Sequence, residues 1–193
     1  KEVRVLIACE YSGIVRDAFN ALGHKAMSCD LLPTESPGAH YQGSVLDVLN
    51  DGWDLMIAHP PCTFLCNSGV RWLAENPDRW RDLDAACHFF NALLDAPIPK
   101  ICIENPIPHR HAVQRIGGRK YTQIVHPWQH GHGETKATCL WLKGLPPLTP
   151  SAIVDGRVQR IHRMPAGKNR SKERSKTYSG IASAMAAQWS QTT

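Results

Sequence analysis

Three features of the sequence predict an α/β fold built on an open, largely parallel sheet with helices on both faces. Short apolar runs of the kind that buried parallel strands produce recur from residue 3 onward. Longer segments whose apolar residues repeat at helical spacing lie between several of them. Every polar motif able to carry chemistry follows directly after a strand, where such sheets bind their ligands.

Val3 to Cys9 (VRVLIAC) reads as the first strand. Ile14, Val15, Ala18, Phe19 and Leu22 then share one helical face, and Gly23 is placed to end that helix. Lys25 to Leu31 is the second strand, followed by a loop containing Pro33, Pro37 and Gly38. Trp53 to Ala58 is the next buried strand. After Pro77, the stripe Leu83, Ala86, Cys87, Phe90 and Leu94 predicts a helix, and Lys100 to Ile103 returns to the sheet. Tyr121 to Val125 and Thr138 to Leu142 read as two more strands, and Ile181 to Trp189 as a short apolar-faced helix. No internal repeat or low-complexity tract interrupts the pattern.

A chain of 193 residues, 42% of them hydrophobic, can bury one full core, so one domain over residues 1–193 is expected. No stretch approaches the roughly 18 apolar residues of a membrane span. The start, Lys1-Glu-Val-Arg, reads as a charged lead into a strand rather than a signal peptide. A cytoplasmic protein without membrane contact is the expectation.

The seven cysteines are an odd number scattered through apolar runs, which suits buried or reactive thiols in a reducing compartment. Cys9, Cys29, Cys87, Cys102 and Cys139 fit as core fillers. Cys62 and Cys66, with His59 nearby, invite a zinc reading, but no second Cys/His pair sits at finger-like spacing. His109, His111, His126, His130 and His132 are dispersed, and no metal is expected.

The net charge of +5 is unevenly spread. Between residues 157 and 176, Arg157, Arg160, Arg163, Lys168, Arg170, Lys172, Arg174 and Lys176 meet one acid, Glu173, with a Pro-Ala-Gly turn midway. Such a segment is either a contact for a nucleic-acid phosphate backbone or a solvated surface loop.

Glu10-Tyr11-Ser12-Gly13 follows the first strand, and Asp30 ends the second, where an acid can accept hydrogen bonds from both ribose hydroxyls of a nucleoside cofactor. The absence of a GxGxxG or Walker lysine disfavours dinucleotides and nucleoside triphosphates. S-adenosylmethionine, a nucleoside without pyrophosphate, fits.

The stretch Ala58 to Cys66, AHPPCTFLC, holds a thiol out after a strand on a rigid turn, and Glu104 in ICIENP follows a neighbouring strand. A thiol beside a carboxyl group has a use in pyrimidine chemistry: C5 of cytosine becomes nucleophilic once a thiolate adds to C6. An acid hydrogen-bonded to N3 and the exocyclic amine eases that addition. Cys62 would be the nucleophile and Glu104 the ring-activating acid. Cys66 competes as nucleophile but lacks the preceding prolines. His59 either caps the strand end or reaches the base pocket. Arg71, Trp72 and Trp80 either close over an extruded base or start a packed helix, whereas Trp128 and Trp141 read as packing.

At these residues the chain resembles the C5-cytosine DNA methyltransferases, specifically small phage or prophage members. The resemblance rests on Tyr11-Ser12-Gly13, Asp30, Pro61-Cys62 and Glu104-Asn105-Pro106. It continues in GETKATCLWLKG (Gly133 to Gly144), where Lys136 stands in place of an arginine held against the target base, and in the final KTYSGIASAMA. It implies a Rossmann-like S-adenosylmethionine-dependent methyltransferase fold, mostly parallel with a terminal antiparallel strand pair. It further implies cofactor contacts from Tyr11, Ser12, Gly13, Ile14, Asp30, Leu31, Ser44, Val45, Pro61 and Thr177, and catalysis by Cys62, Glu104 and Lys136. The implied substrate is cytosine in duplex or single-stranded DNA, methylated through a covalent Cys62 adduct.

Several positions depart from the family pattern. Thr63 replaces Gln, Pro106 replaces Val, Ser44 stands where an aspartate usually meets the adenine amine, and Ser175-Lys176 replaces Gly-Asn. Only the stretch from Pro150 to about Lys176 occupies the place of a target-recognition domain. Low sequence specificity follows, with the basic segment gripping phosphate and a phage or host protein partner supplying any targeting. Two other functions compete: exocyclic-amino methylation of N4-cytosine or N6-adenine, which HPPC echoes, and noncatalytic DNA binding by a relative that has lost the reaction.

Overall fold

A computed structural model describes residues 1–191. In chain order its first half runs β1 (Arg4–Ala8), α1 (Ile14–Ala21), β2 (Lys25–Asp30), β3 (His40–Gln42), β4 (Leu55–Ala58), α2 (Trp72–Glu75) and α3 (Asp78–Leu94). The second half runs β5 (Lys100–Asn105), α4 (Arg110–Arg115), β6 (Gln123–Val125), β7 (Thr138–Lys143), α5 (Arg160–Arg163), α6 (Lys168–Ser175) and α7 (Ser179–Trp189).

The strands form one sheet in the order β3-β2-β1-β4-β5-β7-β6. All run parallel except β7, which lies antiparallel between β5 and β6, so the expected parallel sheet with a terminal antiparallel pair is what forms. The apolar runs are continuous because both faces are covered. Val5, Ile7, Leu55, Ile57 and Cys102 pack with Phe19 of α1 and with Met185 and Trp189 of α7. The alternate residues Leu6, Ala8, Met56, Ala58, Ile101 and Ile103 pack with Leu83, Cys87, Phe90 and Leu93 of α3. From β1 the chain proceeds outward to β2 and β3, then crosses back to β4 on the other side. That reversal opens a crevice at the carboxyl ends of β1 and β4.

Two features shape its walls. Arg16 of α1 is fully buried, its guanidinium donating to Ser28 Oγ at 2.9 Å, Thr34 Oγ1 at 3.1 Å and the Ser36 carbonyl at 2.8 Å. It thereby ties the loop after β2 to the first helix. Gly13, at φ 78° before α1, lies so close that a Cβ there would meet Arg16 at 2.6 Å. On the opposite side, Gly180 donates its N–H to His132 Nε2 at 3.0 Å, fastening the start of α7 to the segment before β7.

Four elements carried no readable pattern, the six-residue α4 among them. β3 is short, polar and at the sheet edge. α5 and α6 form within the basic segment, flanking the Pro-Ala-Gly turn where a loop was one expectation. α6 (KNRSKERS) has no apolar stripe, so periodicity could not reveal it. Among the described residues, no helix is long and apolar enough to cross a membrane.

A Cβ on Gly180 would fall 1.9 Å from the His130 carbonyl oxygen, which is backbone and cannot swing away. Gly180→Ala is therefore expected to lower unfolding free energy by about 1–3 kcal/mol, the range for overpacking. Ser183→Ala, on the exposed side of the same helix, should stay within about 0.5 kcal/mol in the same denaturant titration.

Candidate active site

At the end of β1 the backbone turns sharply: Cys9 adopts φ 60°, a conformation uncommon for a non-glycine residue. The turn sends the Glu10 side chain inward, where it is 5% exposed. Glu10 Oε1 accepts from the Val15 N–H at 2.7 Å and from Ser12 Oγ at 3.2 Å, while Oε2 is buried without a partner. Burial raises the Glu10 pKa above its ordinary 4.5.

Beside this turn lies a cleft of about 500 Å³, counting its open mouth. Asp30, Leu31, Ser44, Val45 and Pro61 line it, together with Cys9 and Cys29, which the sequence suggested were core fillers, and with Gly43 and Phe89, which sequence reasoning did not single out. Asp30 Oδ1 accepts from the Leu32 N–H at 2.9 Å, and among the described residues its Oδ2 makes no hydrogen bond. Ser44 caps the turn after β3, its hydroxyl accepting from the Leu46 N–H. A smaller polar cavity adjoins, with Glu10, Tyr11, Ser12 and His59 on one side and Ser175, Lys176 and Thr177 on the other. Gly13 and Ile14 line neither space; Gly13 starts α1 and Ile14 packs against the α1–α7 core.

The β4–β5 register pairs Ala58 with Ile103, which carries the next residues, His59 and Glu104, to the same end of the sheet. His59 Nδ1 lies 2.8 Å from Glu104 Oε2, and the Thr138 hydroxyl of β7 donates to Glu104 Oε1. Burial alone would raise the Glu104 pKa, but the hydrogen bond and charge of His59, the charge of Lys136 and the Thr138 hydroxyl lower it from 4.5 to about 2. Burial alone would lower His59, yet Glu104 and the charge of Glu10 raise it above 6.5. Both shifts favour the carboxylate–imidazolium form of the pair. Lys136 lines a pocket with Glu104 and Thr138, and its ammonium donates to the Arg174 carbonyl.

The Cys62 turn is braced from β5 onward. Asn105 Nδ2 donates to the Pro60 carbonyl at 3.0 Å, and buried His109 donates from Nε2 to the Phe64 carbonyl at 2.7 Å. The Cys66 N–H returns to the Cys62 carbonyl at 3.1 Å, closing one turn that sets the two thiols beside each other. That contact, burial and the charges of Cys66 and Glu104 push Cys62 well above 9.0. The same contact and the Ser68 hydroxyl, 2.9 Å from the Cys66 sulfur, hold Cys66 down at about 5.

The basic segment folds against this site. The Ser175 hydroxyl meets Tyr11 Oη at 2.9 Å, Lys176 pairs with Glu35 at 3.2 Å, and Arg160 pairs with Glu134 at 2.8 Å. Arg157 lies over Trp128, 3.9 Å from the ring centroid. Arg163 and Lys172 are exposed, Arg170 and Arg174 half-buried, and the side chain of Lys168 lies outside the described ones. Trp141 is core, packed edge-on against Phe90. Trp72 is 40% exposed beneath the Arg71 guanidinium. Among the described residues, no group of three or more His, Cys, Asp or Glu side chains could hold a metal ion.

No protein-family model and no curated protein matches the chain. Among solved structures it is similar to one described as a DNA modification methyltransferase encoded within a prophage (E. coli), at 15% identity and a TM-score of 0.51, over 85% of this chain and 56% of that one. The fold is that of the methyltransferases. The methyltransferase EhMeth of Entamoeba histolytica aligns at 14% identity and a TM-score of 0.49, over 89% of this chain and 62% of that one. The Dnmt2 methyltransferase of S. pombe aligns at 17% identity and a TM-score of 0.44, over 83% and 54%. The chain thus spans little more than half the length of these proteins.

The Glu104–His59 pair sets a pH dependence of stability. Glu104, depressed to about 2, contributes fully above 4.5 and loses that contribution as pH falls. His59, raised, contributes fully below 6.5 and loses it as pH rises through its folded value. Thermal unfolding from pH 4 to 9 should therefore show the difference in Tm between wild type and His59→Gln largest between about pH 4.5 and 6.5 and shrinking above it.

Proposed function

We propose that the chain methylates C5 of cytosine in DNA, with S-adenosylmethionine as cofactor and Cys62 as the covalent nucleophile. The observation that carries this reading is the Cys62 turn and Glu104 at neighbouring strand ends, beside an apolar cleft that ends in an aspartate. The fold shared with a protein described as a DNA modification methyltransferase supports it.

The cleft fits the cofactor. Asp30 offers an unengaged carboxylate oxygen to ribose hydroxyls, and Leu31, Val45 and Pro61 offer apolar surface to a purine. Tyr11, Ser12 and Thr177 border the adjoining polar cavity, suited to a charged amino-acid end. When bound, S-adenosylmethionine supplies an electrophilic methyl group.

The chain's own residues prepare the base. The Cys62 thiol gives up its proton, which the neighbouring Cys66 sulfur is placed to take up, leaving the charge on the Cys62 sulfur. That sulfur bonds to C6, the C5–C6 double bond opens, and C5 gains nucleophilic character while Glu104 holds the N3 edge. Once C5 is methylated, its proton leaves, the S–C6 bond breaks and the double bond returns.

Lys136 reaches a base only after releasing the Arg174 carbonyl, so entry of a substrate would loosen α6. Arg157, Arg160, Arg163, Lys168, Arg170, Lys172 and Arg174 contact phosphate of duplex or single-stranded DNA, and a base taken from the stack is read within the pocket. Sequence specificity is low, and a phage or host protein partner in a bacterial cytoplasm provides targeting for this phage-type enzyme.

DNA carrying 5-fluorocytosine, which cannot lose a proton from C5, should trap a covalent complex through Cys62 when S-adenosylmethionine is present. Denaturing gels should show that complex for wild type and none for Cys62→Ser. A preparation that methylates DNA yet never traps would contradict the mechanism.

A further inference from the structure

Cytosine N3 accepts hydrogen bonds and carries no proton of its own, so activation of the ring through N3 requires a donor. Glu104 as it stands cannot be one, because both its oxygens already accept, from His59 and from Thr138. A carboxylate has acceptor capacity only. The nearest side chain with an acidic proton in contact with it is His59, whose side chain is 9% exposed and lies 2.8 Å away. The other ring nitrogen, Nε2, is buried without a hydrogen-bond partner among the described residues, and His59 lines a polar cavity together with Glu10. Glu10 Oε2 is likewise buried and unpartnered among the described residues. His59 is thus a titratable group between two acids, which neither burial nor strand capping requires.

We propose that His59 is the proton store of the site, a positioning residue that acts through Glu104 to protonate N3 of the target base. The inference rests on the cytosine reading above and extends it to the origin of the proton. The proton leaves His59 Nδ1 for the Glu104 carboxylate and passes from the carboxyl to N3. His59 becomes neutral, retaining its proton on Nε2, and the ring carries the positive charge. Addition of the Cys62 thiolate at C6 discharges that charge. When the S–C6 bond later breaks, the N3 proton returns through Glu104 to His59.

The charged and titratable groups facing His59 are Glu104 from β5, Glu10 and Tyr11 from the loop after β1, Lys136 from the segment before β7 and, across the polar cavity, Lys176 after α6. The two acids favour the imidazolium and the ammonium groups oppose it. Lys136 is the rival donor, but its ammonium is turned to the Arg174 carbonyl. Activity should therefore be highest with His59 charged and fall as pH rises through its folded pKa, which lies above 6.5.

His59→Gln separates a hydrogen bond from a proton, since a glutamine amide still donates to Glu104 but has nothing to transfer. Single-turnover methylation of cytosine-containing DNA by the full chain, followed from pH 5.5 to 9, should fall about 100-fold in His59→Gln at neutral pH. The variant should also lose the high-pH decline of the wild type, with DNA affinity unchanged. In parallel, NMR titration of the His59 ring in the free protein should report a pKa above 6.5 that drops in Glu104→Gln. Wild-type rate and pH profile in His59→Gln, or a His59 titration indifferent to Glu104→Gln, would overturn the inference. A wild type that transfers no methyl group fails the cytosine reading instead, and the NMR titration still decides whether the two side chains share the proton.

Discussion

A carboxylate taken out of water loses its hydration and must regain an equivalent from fixed partners or give up its charge. Glu104 meets that requirement at the junction of three strands: β5 carries it, β4 delivers His59 to one oxygen and β7 delivers Thr138 to the other. The antiparallel insertion of β7 beside β5 is therefore more than a sheet-closing device. It places a hydroxyl where a parallel neighbour's following loop would otherwise run. The next residue, Asn105, reaches across to the Pro60 carbonyl and holds the turn bearing Cys62 against the same strand end. One buried acid and its neighbour thus set the distance between the two groups on which the chemistry turns.

The charge around that acid is distributed rather than balanced pair by pair. The Ser68 hydroxyl and the charge of Arg174 favour a thiolate in the Cys62–Cys66 pair, and Lys136 faces both Glu104 and Cys62. Arg174 belongs to α6, so the segment with the strongest positive charge also contributes to the field inside the site. Tyr11 with Ser175 and Lys176 with Glu35 fasten the same segment over the loops after β1 and β2. Under the proposed function, phosphate contact from outside and the shape of the space within are coupled through this segment.

Much of the fold was legible because buried parallel strands and helical stripes leave periodic apolar signals, as Val5 to Ala8 and Leu83 to Leu94 do. The candidate site was legible where unusual local patterns concentrate reactive side chains, as in Pro60-Pro61-Cys62, Glu104 and Asp30. Other features had no such signal. Thr138 opens an apolar strand and looks like any β-branched residue, and Glu10 turns inward only because Cys9 adopts a left-handed backbone. α6 is polar all round and is held by what it touches. The approach of Cys66 to Cys62 depends on one turn of backbone closing between them, which spacing alone does not dictate.

The central claim is that this strand-end arrangement directs a methyl group to carbon 5 of cytosine through the Cys62 sulfur. Nucleoside mass spectrometry of DNA from cells expressing the chain or its Cys62→Ser variant reads base, position and added group at once. The account predicts 5-methylcytosine with the wild type and none with the variant. Methylation on N4 of cytosine or N6 of adenine, or 5-methylcytosine undiminished in Cys62→Ser, would contradict it.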